Sequence, residues 1–139
     1  MTQSSLEVSE DLLSTMRKLV DENMQFVPAE RRVFFEALQK LQEGDVKEAG
    51  RLFRKAARKS ETPLEQLAVV GLAACEYAGG KEGAALKSWR KLAEDDEVPE
   101  AVRYMAWLNI AALDEARDDK VGLSRAKKAL EALGEPTAF

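Results

Sequence analysis

Few side chains in this 139-residue chain could hold or move charge in a reaction. It contains no histidine and a single cysteine, Cys75. Without histidine there is no Ser–His or Cys–His pair and no imidazole ligand for a metal. Cys75 lies in the stretch Leu67–Ala78, LAVVGLAACEYA, where apolar neighbours disfavour a thiolate, so it is expected to pack rather than attack. The carboxylate pairs Asp95-Asp96 and Asp118-Asp119 lack the spacing of a calcium loop and fall at breaks between helical patterns. Their expected role is to end and begin helices. Neither G-x-G-x-x-G nor G-x-x-x-x-G-K-[ST] occurs, so no nucleotide cofactor is expected. No residue is assigned to catalysis, metal binding or a cofactor, and the chain reads as non-enzymatic.

The cations, by contrast, are patterned. Residues 31–59 carry nine Lys/Arg against four Asp/Glu, a local net of +5 in a chain whose total is −4. Lys47, Arg51, Arg54, Lys55 and Arg58 recur at helical spacing, and Lys87, Arg90 and Lys91 continue the pattern further on. The ordinary use of such a run is a solvated helix face supported by i,i+4 ion pairs. The functional use is a basic ridge that docks an acidic protein. Nucleic acid fits less well, because the chain is acidic overall and the ridge has no interleaved aromatics for base stacking.

The elements that position these residues are helices. With 45% hydrophobic and 33% charged residues, but 4 Pro and 8 Gly, the chain has the composition of one soluble all-α domain. No run alternates as a strand would. Leu67–Ala78 has one charge, Glu76, and no polar stripe, so it predicts a helix buried on nearly all sides; it is too short to span a bilayer. Amphipathic helices are predicted over 9–24, 29–43, 46–59, 82–94, 100–116 and 122–133, around this one at 64–78. They divide into an N-terminal helix and linker over 1–28, a helical domain over 29–133 and a tail over 134–139. The polar, acidic Met1–Glu10 is no signal peptide, and a lone buried cysteine suits a reducing compartment, so a cytoplasmic location is expected.

The chain also repeats. A shift of 36 residues brings Gly44 onto Gly80, Ala49 onto Ala85, Phe53 onto Trp89, Arg54-Lys55 onto Arg90-Lys91, Ala57 onto Ala93 and Pro63 onto Pro99. In the preceding helix Ala37 falls on Ala73 and Leu41 on Tyr77. A third copy is expected 41 residues after the second, with a longer turn, where Ala126 and Leu130 take the places of Ala85 and Trp89. A period of this length indicates stacked helical units that cannot bury their faces alone.

Over residues 29–133 this pattern resembles the tetratricopeptide repeat family. The family's small residue in the first helix is matched by Ala37 and Ala73, its turn glycine by Gly44 and Gly80, its small residue in the second helix by Ala49 and Ala85. Phe53 and Trp89 match its aromatic, and Pro63 and Pro99 its closing proline, though displaced. The resemblance implies about three stacked antiparallel helical hairpins plus the extra N-terminal helix. It also implies a groove lined by the first helices, here Arg31, Phe34, Leu38, Leu41, Leu67, Val70, Ala74, Tyr77, Ala106, Ile110 and Leu113.

That lining lacks the Lys/Asn/Arg set with which chaperone-binding members of the family grip a terminal carboxylate. An apolar groove calls for an apolar helix or peptide of another protein. The chain's own helix 9–24 could cover it instead, or be exchanged between two chains to form a homodimer. The function expected is a non-catalytic adaptor or scaffold. Two alternatives stand beside it: a self-associating structural subunit, and a dedicated chaperone, since the architecture is similar to the tetratricopeptide-type chaperones of bacterial type III secretion.

Overall fold

Residues 14–18 and 28–135 are described by the computed structural model of the chain. Within them the protein is all-helical, with no strand: a helical segment at 14–18, then α1 (Pro28–Gln42), α2 (Val46–Ala57), α3 (Pro63–Ala78), α4 (Glu82–Ala93), α5 (Glu100–Ala116) and α6 (Lys120–Leu133). The rest of the helix expected over 9–24, and the end of the tail, lie outside the described residues.

Local chemistry sets the helix starts. The Asp45 side chain accepts a hydrogen bond from the Glu48 N–H and opens α2. Thr62 and Glu65 form a reciprocal capping box at α3, with Pro63 in the first turn. Asp119 Oδ1 accepts from the Gly122 N–H and opens α6. At α4 the corresponding residue is Lys81, which makes no side-chain cap.

Three turns join α1 to α2, α3 to α4 and α5 to α6, and all three have one hydrogen-bond pattern. Gly44 N–H donates to Leu41 O and Asp45 N–H to Lys40 O. Gly80 and Lys81 repeat this onto Tyr77 and Glu76, and Asp118 and Asp119 onto Glu115 and Asp114. Their central residues have φ of +88°, +92° and +58°, the left-handed conformation that closes a helix end. Asp118 therefore stands where glycine stands in the first two turns. The longer third turn expected from the sequence is not found, and the turn residue follows Gly80 by 38 positions rather than 41. The two added residues lie before the turn: α5 has 17 residues against 16 in α3, and Pro99 precedes its helix whereas Pro63 begins its own.

Neighbouring helices pack against one another in chain order, and α3 additionally meets α1 and α5. With α1, α2, α4 and α5 all against it, α3 has no side left for a polar stripe, which is why its sequence shows none. Phe34 meets Phe53 edge-on at 5.7 Å between ring centroids. Tyr77 lies 6.3 Å from Trp89, whose indole N–H donates to the Val70 carbonyl at 3.1 Å. Ala49 and Ala85 are fully buried, so that α2 and α4 approach the core closely.

The 14–18 segment is part of this packing. Met16 is 3% exposed and belongs to the same apolar cluster as Phe34 and Ile110. The Arg17 guanidinium carbon sits 5.0 Å from the centroid of the Phe35 ring, and Thr15 borders a depression formed by α5 and α6.

Candidate protein interface

The residues expected to line an open groove do not line one. Phe34, Leu38, Leu41, Leu67, Val70, Ala74, Ala106, Ile110 and Leu113 are all buried, at most 8% exposed. Tyr77 and Arg31 are half-buried, Tyr77 against Trp89 and Arg31 with its guanidinium 5.7 Å from the Phe35 centroid. The physical reason is the position of α3. The helical face assigned to the groove is the face its neighbours occupy, and Met16 is buried in the same apolar cluster. On α1 the ring that meets the 14–18 segment is Phe35, one position round the helix from Phe34.

Among the described residues an apolar depression of about 480 Å³ lies beside Thr15, walled by Tyr104, Leu108 and Ala111 of α5 and by Leu123 and Leu130 of α6. Sequence reasoning did not assign it.

The ridge residues lie at the surface. Lys47, Arg51, Arg54, Lys55, Arg58, Lys87, Arg90 and Lys91 are all exposed. Arg51 grips Glu48 in a two-pronged pair, Nη2 to Oε2 at 2.7 Å and Nε to Oε1 at 2.9 Å. That bond, more than charge proximity, holds the Glu48 carboxyl below its usual range. Among the described residues the other seven cations have no ion-pair partner, so the i,i+4 support that would explain them as helix stabilisers is missing. Arg54, Lys55, Arg90 and Lys91 do lie in the last turns of their helices, where positive charge is favourable. Lys47 lies in the first turn of α2, where it is not.

The structure divides this ridge. Lys47, Arg51 and Arg54 wall a cleft of about 450 Å³ between α2 and the C-terminal half of α3, and Lys81 closes it from the following turn. Lys55, Arg58, Lys87, Arg90 and Lys91 are not among its walls. Its floor is Gly50, Leu72 and Cys75, and one carboxylate, Glu76, stands within it. Burial foremost, with the neighbouring Glu76 charge, pushes the Cys75 thiol up to about 12, so at neutral pH it is a protonated, apolar floor atom. The sequence carried a signal for Lys81 that composition alone hides. In the 36-residue register it falls on Asp45, so a capping acid is replaced by a cation.

The acidic pairs act at helix ends, as their place in the sequence suggests. Asp95 Oδ1 accepts from the Glu97 N–H, and Asp119 caps α6. Among the described residues no cluster of His, Cys, Asp or Glu is arranged to hold a metal, and no helix is long and apolar enough to cross a membrane. Comparison with family models, curated proteins and solved structures finds no match to this chain.

Proposed function

We propose that this chain is a non-catalytic protein-interaction module, a tetratricopeptide-like adaptor or scaffold whose outer cationic face docks an acidic partner. The observation that carries the reading is the set of exposed cations on α2 and α4, seven of eight without an ion-pair partner among the described residues. The three turns with one hydrogen-bond pattern and the 36-residue register support the repeat architecture, since each turn joins two helices that pack together. The acidic partner is a protein rather than nucleic acid, because the face offers no aromatic ring for stacking.

A second reading rests on Met16. Met16 is buried in the apolar cluster, and an apolar helix or peptide could take its place and extend into the α5–α6 depression. This is how a chaperone or a segment-exchanged dimer would work.

Affinity capture from the source cell's lysate, washed at low and then high salt, separates the two. Release in high salt supports the cationic face, because screening weakens exposed charge pairs. A partner retained in high salt contradicts it and favours displacement of the 14–18 segment.

A further inference from the structure

We infer that the α2–α3 cleft is a specific docking site for an acidic peptide segment: Lys47, Arg54 and Lys81 take carboxylates, Arg51 being already paired with Glu48, and the floor takes one apolar side chain between them. This rests on the protein-interaction reading and narrows it to one site and one ligand chemistry.

Three observations point the same way. Lys47, Arg51, Arg54 and Lys81 come from two separate parts of the chain and surround one concavity, while its floor of Gly50, Leu72 and Cys75 is apolar. Such a surface matches carboxylates flanking an apolar residue, not a uniformly charged polymer. Glu76, inside the same cleft, repels a phosphodiester backbone more than it does a peptide whose acidic side chains can step around it.

The second observation is what the cations cost. Lys47 stands in the first turn of α2, and Lys81 takes the N-cap position of α4 without capping it, whereas Asp45 and Asp119 cap the equivalent helices. Both lysines oppose the positive end of a helix dipole. Two of the cleft's four cations thus stand where a helix start disfavours positive charge. Departures from local consistency of this kind mark functional positions.

The third is Gly50. It lies within α2, where alanine would be the better helix former. A Cβ there would meet the Cys75 Cβ at 3.6 Å, an ordinary contact, so packing does not require glycine. The absent methyl leaves the floor open.

The probe is a fluorescein-labelled, blocked peptide of glutamates around a single leucine, titrated onto the full chain by anisotropy. Lys81→Asp and Gly50→Ala are chosen because neither is expected to unfold the protein; circular dichroism and urea midpoints check this. The expected result is binding that weakens at least tenfold with Arg54→Glu, with Lys81→Asp and when the peptide leucine becomes alanine. Gly50→Ala weakens it while the urea midpoint holds or rises. Lys128→Glu, in a separate cationic patch on α6 with Lys120 and Arg125, leaves it unchanged.

Equal loss with Lys128→Glu overturns the site as diffuse attraction. Indifference to Lys81→Asp and Gly50→Ala overturns it, as does tighter binding of a single-stranded RNA of equal charge. The lysate capture keeps this separate from the broader reading. A captured partner that survives Lys81→Asp, but is lost on reversal of Lys87, Arg90 and Lys91, sinks the cleft and leaves the cationic interaction module standing. Salt-resistant capture sinks both.

Discussion

The Phe53 ring fills the space that a side chain at position 71 would need: a Cβ built on Gly71 comes within 2.5 Å of Phe53 Cε1. Phe53 is fully buried and in edge contact with Phe34, so it cannot swing away. One glycine thus sets how closely α3 approaches α2.

Gly71→Ala is therefore expected to destabilise the fold by about 1–3 kcal/mol, the usual cost of overpacking a core, despite alanine's better helix propensity. Urea unfolding measures it. Adding Phe53→Leu, which removes the clashing ring atoms, is expected to recover part of the loss relative to Phe53→Leu alone. If Gly71→Ala is stabilising, the close approach is wrong.

Asp118 holds φ +58° where the other two turns have glycine. Asp118→Gly relieves left-handed strain of about 1 kcal/mol and should raise the thermal midpoint. The side chain is exposed and its removal leaves the Asp119 cap intact. A lowered midpoint would show that the aspartate side chain contributes more than its backbone strain costs.

Lys81→Asp should raise stability by about 1 kcal/mol, by supplying the cap that Asp45 and Asp119 supply and removing a cation from a helix start. Chemical denaturation reads this directly. An unchanged or lowered midpoint would remove the argument that Lys81 is kept at a cost.

Asp114 gives a pH dependence. It is 1% exposed, with Oδ1 3.2 Å from Arg117 Nη2 and Oδ2 without a hydrogen-bond partner. Burial raises its pKa, opposed by the Arg117 charge and reinforced by Asp119. The folded state then holds the proton more tightly than the unfolded state, whose aspartate titrates near 3.9. Its contribution to stability is present below about pH 3.9 and is lost as pH rises through the higher folded value. Arg117 also pairs with Asp119 and Glu82, so it keeps partners in Asp114→Asn. The variant should gain stability relative to wild type between acid and neutral pH. A constant difference across that range would contradict the raised pKa.

Much of the helical layout was legible in the sequence, for physical reasons visible in particular residues. Proline, glycine and acidic breaks at 28, 44, 63, 79–80, 99 and 134 place the helix ends close to where they are found. The apolar run at 67–78, with Glu76 its one charge, reported a helix that others pack around. The third copy was harder. Asp118 does a glycine's work in a left-handed turn, and matching Ala126 and Leu130 to Ala85 and Trp89 put the extra residues in the turn.

The groove was misread for a different reason. Periodicity tells which residues share a helix face, not whether solvent or another helix covers that face. Phe34, Val70 and Ala106 share a face, and it is the inside. The cleft was half legible: the α2 cations stood out, but Lys81 joins them from another turn, and only its mismatch with Asp45 hinted at it.

The central claim is that partners bind on the outer cationic face while the 14–18 segment stays in place. Amide hydrogen exchange on the complex with a partner captured from lysate tests it most directly. Protection is expected to increase over 46–57 and 79–82, with exchange at 14–18 and along α5 unchanged. Protection appearing instead along α5 and α6, with faster exchange at 14–18, would show that the partner displaces Met16 and takes the inner face.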